Sequence, residues 1–107
     1  LTFDPIEFDR VLTIRDVAQV GIDHCGDPSV ITFITNLTDV SRRQAEYSKY
    51  RSARPEVAAA SARLNAIIEG LGRRYRSRDE PSAVYCRQKF ENVINGTHMM
   101  LDALGKQ

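Results

Sequence analysis

The sequence predicts an all-α, up-down-up-down four-helix bundle spanning residues 1 to 107 as a single domain. Three observations carry this expectation. Apolar residues recur every three or four positions through most of the chain, the spacing that lines one face of a helix. The four prolines, at positions 5, 28, 55 and 81, each stand directly before a segment with that period. The connections between the segments are short, which makes consecutive helices antiparallel neighbours.

The first helix is expected over residues 5 to 22. Asp4-Pro5-Ile6-Glu7 supplies a cap, a first-turn proline and a capping-box glutamate. Phe8, Val11, Ile14, Ala18 and Ile22 share one face, and Gly21 with the polar run His24-Cys25-Gly26-Asp27 ends the helix. The second helix is expected over 28 to 51, opened by Asp27-Pro28-Ser29, with Val30, Phe33, Ile34, Leu37, Val40 and Tyr47 as its stripe. Its β-branched first half resembles a strand by composition, but a half-buried strand would alternate and these residues do not. From Ser41 to Arg51 it turns polar and basic, which suits the negative end of a helix dipole.

The third helix, 55 to 75, has the most regular period: Val57, Ala60, Leu64, Ile67, Ile68, Leu71 and Tyr75. Gly70 and Gly72 each cost about 1 kcal/mol relative to alanine in a helix interior. They mark either its end or a close approach of a neighbour, and Tyr75, which keeps the stripe, favours continuation. The fourth helix, 81 to 104, turns Ala83, Cys86, Phe90, Val93, Ile94, Thr97, Met100, Leu101 and Leu104 inward, with Asn95-Gly96 a candidate break.

The chain has 42% hydrophobic and 27% charged residues, an ordinary globular composition that argues against disorder. No apolar run approaches the roughly 20 residues that cross a bilayer. The start at Leu1 rather than Met hints at a removed targeting segment. A net charge of +1 conceals an asymmetry: residues 1 to 40 are acidic, and residues 41 to 78 hold ten bases against three acids. The basic excess has two readings, an internal match to the acidic first helix or a face for an anionic partner.

An up-down bundle brings Cys25, after the first helix, to the same end as Cys86, near the start of the fourth. A disulfide is one expectation; it would contribute on the order of 4 kcal/mol and imply an oxidising compartment. Two reduced thiols are the alternative. A zinc site of His24, Cys25 and Cys86 with Asp23 or Asp27 is a third reading, disfavoured because its spacing is that of no zinc motif. His98 lies about 18 Å down the fourth helix from Cys86 and cannot join them. No metal or cofactor is therefore expected. No serine, cysteine, histidine and acid stand at the spacing of a nucleophilic motif, and no glycine-rich phosphate loop or di-iron E-x-x-H pattern occurs. Asn36-Leu37-Thr38 and Asn95-Gly96-Thr97 match the glycosylation sequon inside expected helices, where they carry little weight.

The partner-binding candidates are the arginines Arg73, Arg74, Arg76 and Arg78, with Arg42 and Arg43. Their planar guanidinium groups suit bidentate pairing with carboxylates. Complementation of the third helix's dipole is the competing reading for the Arg73 cluster. Nucleic acid is a weaker partner than an acidic protein surface, because Asp23, Asp27, Asp79 and Glu80 fall near the same end.

Pro28-Ser29 opening the second helix, Ser61, Leu64, Ile68 and Leu71 in the third, and Tyr85, Val93 and the ending Met100-Leu101-Asp102-Ala103-Leu104-Gly105 in the fourth resemble the PsbQ-like extrinsic proteins of photosystem II. The resemblance covers residues 28 to 105. It implies a non-enzymatic four-helix bundle in the thylakoid lumen that docks on a membrane-associated complex, stabilises it and supports oxygen evolution. The expectation is thus a docking subunit of a larger complex. A stand-alone bacterial adaptor, periplasmic or cytoplasmic, is the alternative, and a nucleic-acid-binding bundle the third reading.

Overall fold

Proline at the first helical position and apolar residues at helical spacing set four helices, and these appear in the computed structural model, which describes residues 3 to 77 and 81 to 105. They are α1 (Pro5–Gly21), α2 (Val30–Arg51), α3 (Pro55–Arg76) and α4 (Ala83–Gly105), with a 3-10 turn at Ile22–His24 between α1 and α2. No strand occurs among the described residues. The molecule extends 44 × 21 × 17 Å, with α1 packed on α2 and α4, and α3 packed on the same two. Hence α1 and α3 are diagonal.

Contacts at the helix ends fix the up-down order. Asp4, before α1, accepts a 2.7 Å hydrogen bond from Tyr47 Oη late in α2. Gln44, also late in α2, accepts from the Ser61 hydroxyl early in α3. Arg54, just before α3, donates to the carbonyl of Ala103 at the end of α4, one of the acceptors a helix end leaves without an internal partner.

The caps follow the sequence closely in α1. Asp4 Oδ1 accepts the backbone N–H groups of Ile6 at 3.0 Å and Glu7 at 3.1 Å. Glu7 does not close a capping box: it is only 2% exposed and its Oε2 has no hydrogen-bond partner. Partial burial pushes the Asp4 carboxyl up, but the hydrogen bonds from Tyr47, Glu7 and Ile6 together outweigh it and hold Asp4 below its ordinary 3.8. The same bond to Asp4, joined by burial, raises Tyr47 above 10.0. A depressed carboxyl contributes stability that is present above 3.8 and lost as pH falls through the folded value; a raised phenol contributes below 10.0 and loses it at higher pH. Asp4→Asn is therefore expected to lower the unfolding free energy at neutral pH by about 1 kcal/mol or less, read as a lower thermal midpoint. The deficit should begin to shrink near pH 3.8 and close only once the pH passes below the lower, folded value. An equal deficit at all pH values would contradict the assignment.

Several boundaries and faces differ from the sequence expectation. Helix α2 starts at Val30 rather than 28, because Asp27 Oδ1 takes the Ser29 N–H in a tight turn that precedes it. Helix α4 starts at Ala83 rather than 81, and α1 ends at Gly21 with Ile22 in the 3-10 turn. Helix α3 runs one residue past Tyr75, and neither Gly72 nor Asn95-Gly96 interrupts its helix. Ile67, placed inward by its spacing, is 40% exposed, while the small polar Ser61 lies inside. The polar half of α2, expected only as a basic C-terminal end, sends Ser41, Gln44 and Ser48 into the interior. Gln44 Nε2 and Ser48 Oγ have no hydrogen-bond partner there. Pairing of Asp4 with Tyr47 across antiparallel helices sets Glu7 level with Gln44, so one end of the bundle has a polar seam through its core.

Candidate functional site

The cysteine end is built from three segments. Gly26, with φ of 91°, turns the chain out of the 3-10 turn. Cys25 and Cys86 are bonded, with Cα atoms 5.7 Å apart across a sequence separation of 61. Neither thiol is then free to ligate zinc, and among the described residues no group of three or more His, Cys, Asp and Glu is placed to hold a metal ion. His24 instead stacks on Phe33 with ring centroids 4.3 Å apart, and its Nδ1 lies 2.9 Å from Ser29 Oγ. The Ser29 N–H and hydroxyl, with His24 nearby, hold the Asp27 carboxyl below its ordinary range. A bridged pair of this kind is kept in oxidising compartments. No helix among the described residues is long and apolar enough to cross a membrane.

The candidate arginines divide among three faces. Arg42 lies on the α3 side of α2 and makes a bidentate pair with Glu69 of α3, its Nη2 donating to Oε1 at 2.8 Å. This pair pulls the Glu69 carboxyl down and the Arg42 guanidinium up. Arg73 and Arg76 lie within electrostatic range of the same carboxylate. Arg43 points to the α1 side, over an open groove that also contains Ile6, Asp9 and Arg10. Arg74 points toward α4, 5.7 Å from the ring centre of Tyr85. Arg78 lies outside the described residues. Three of the six, Arg42, Arg73 and Arg76, therefore gather on the α2/α3 face.

Two glycines give these side chains room. A Cβ built at Gly72 would stand 3.2 Å from Arg76 Nη1, and one at Gly70 3.7 Å from Arg73 Nη2, so each guanidinium lies over a bare turn of α3. Gly72→Ala meets only that flexible arginine tip and Thr38 Oγ1 at 3.5 Å. It is expected to raise stability by up to about 1 kcal/mol through helix propensity. A lower denaturation midpoint would show that Gly72 serves the packing instead.

The charge pattern explains why the face stays basic. Helices α2 and α3 together carry eight bases against four acids, whereas α1 and α4 carry four bases against five acids. Because α1 and α3 are diagonal, acidic α1 packs against α2 and α4 rather than against the arginine-bearing α3. Among the described residues, ion pairs join Arg15 to Asp16, Arg42 to Glu69 and Arg54 to Glu56, each within α1 or within the basic half.

Comparison with known protein families, curated proteins and solved structures finds no match for this chain.

Proposed function

We propose that this protein is a non-catalytic docking subunit that binds an acidic surface of a larger complex in an oxidising compartment, through the face formed by α2 and α3. The observation that carries the reading is the diagonal placement of acidic α1 and basic α3, with Arg42, Arg73 and Arg76 gathered around Glu69 and Asp39, three bases to two acids among the described residues of that face. Guanidinium groups held on a rigid helical surface lose less freedom on pairing than flexible lysines would. The side chains most apt for chemistry are committed elsewhere: the cysteines to each other and His24 to Ser29 and Phe33.

The resemblance to PsbQ-like proteins names the lumenal surface of photosystem II as the first complex to test, with stabilisation of that complex and support of oxygen evolution as the role. The same bridge suits a periplasmic adaptor, the second reading. The purified protein should be titrated onto photosystem II membranes stripped of extrinsic subunits by salt. Saturable binding that weakens with salt, and that the combined Arg42→Glu, Arg73→Glu and Arg76→Glu variant loses, supports the reading. Binding that survives the reversal removes this face. Absence of saturable binding removes photosystem II and leaves the adaptor.

A further inference from the structure

We infer that the α2/α3 face takes a linear segment of its partner, apolar at one end and acidic at the other, in a trough that runs from the disulfide loop to Arg42. This rests on the docking reading above and gives the partner's binding element a chemistry and a direction. Two grooves, of about 200 and 170 Å³, share Ile31 and Tyr75. The first lies among Gly26, Pro28, Val30 and Pro81 at the cysteine end; the second continues between the helices past Thr35 and Gly72 to Asp39, Arg42 and Arg76. From Pro28 to Arg42 the trough follows α2 for about 20 Å at a helix's rise, the reach of a six- or seven-residue extended strand.

The lining changes character along that path. At the cysteine end Ile31 is 49% exposed, although a β-branched side chain at the start of a helix gains nothing from water, and the prolines beside it present no N–H. Farther on, the floor opens at Gly72, and Arg76 lies across the opening. Arg42 is already held by Glu69, which fixes its orientation while leaving it 59% exposed along the side chain. An apolar side chain therefore fits against Ile31, and carboxylates fit on Arg76 and Arg42. Asp27 at the apolar end repels an acid placed in the reverse sense, whereas at the other end Arg42 and Arg76 outnumber Asp39, so the segment's direction is set by charge.

The test uses the full bridged chain and two acetylated synthetic peptides, one with leucines at its start and glutamates at its end, the other with the leucines replaced by serines. Binding is followed by backbone amide shifts. The leucine peptide is expected to bind more tightly, with shifts at Ile31, Thr35, Gly72 and Arg76. Ile31→Asp and Arg76→Glu should each weaken it by about tenfold, the size of one lost anchoring contact. Arg43→Glu makes the same charge change on the α1 side and should alter it little. Equal binding of the two peptides, or equal weakening by Arg43→Glu, overturns the trough while leaving general docking to acidic surfaces intact. No binding of either peptide to a folded, bridged chain overturns the trough as well; loss of photosystem II binding in the charge-reversed protein would then still speak for the face.

Discussion

Replacing both Cys25 and Cys86 with alanine is expected to lower the unfolding free energy by about 4 kcal/mol, read as a shift of the denaturant midpoint. The bridge ties the loop after α1 to the start of α4 across 61 positions, so it removes a large share of the unfolded chain's freedom. It also joins the two ends of the chain's path around the bundle. Cys86 is fully buried against the core, and Cys25 packs at its edge. Alanine at both positions keeps the helices and removes the constraint together with the buried sulfur of Cys86, so the fold should survive with its four helices intact by circular dichroism. Reduction of the native protein should reproduce the loss. A change below about 1 kcal/mol would mean that the reduced chain already holds the two segments together.

The second large effect is expected at Phe90. It is the largest side chain wholly removed from solvent, and Gly21 lies against it with no space for a side chain: a Cβ there would stand 2.8 Å from Phe90 Cε1 and 2.9 Å from Phe33 Cβ. Phe90→Ala should cost about 3 to 5 kcal/mol by the lost transfer and the cavity left behind. Gly21→Ala alone should cost about 1 to 3 kcal/mol by overpacking, less what the helix gains from alanine. The two changes should couple. With the ring gone, the penalty for the added methyl should shrink, though not vanish, because Phe33 Cβ still faces it. Strictly additive effects in the double-mutant cycle would show that Gly21 and Phe90 do not meet.

Residues whose side chains have one strong preference were legible in the sequence. Asp4 and Pro5 announced the start of α1, Pro55 that of α3, and the period of Leu64, Ile68 and Leu71 placed the core face of α3. Cys25 and Cys86 were neighbours by topology alone, although their bonding needed the structure. Residues with weak preferences were misplaced. Ser41, Gln44 and Ser48 fall in a segment that reads as a polar, basic helix end, yet their spacing of three and four continues the stripe of Val30, Ile34 and Leu37. Period, weighed above polarity, would have found them. Glu7 satisfied the capping-box pattern, and nothing local could show that α2 would close over it. Gly21 was read as a stop, whereas Gly70 and Gly72 drew attention; only the packing of α1 against Phe33 and Phe90 shows which glycine the core requires.

The arginines were legible as residues and not as a surface. Arg42 and Arg43 are adjacent in sequence and emerge on opposite sides of α2; Arg74 and Arg76 likewise part around α3. A helix turns each residue by about 100°, so a cluster in the sequence becomes a face only for positions three or four apart. Arg73 and Arg76 meet that condition, and Glu69 brings in Arg42 from the neighbouring helix.

The reading of a bridged docking module in an oxidising compartment is tested most directly by the intact mass of the natively isolated protein, alkylated before and after reduction. Both cysteines should resist alkylation until a reductant is added, and the monomer mass should then rise by two alkyl groups. Immediate alkylation of both thiols in the folded protein would contradict the bridge, remove the argument for the compartment, and return the basic face to a partner among reduced, intracellular surfaces.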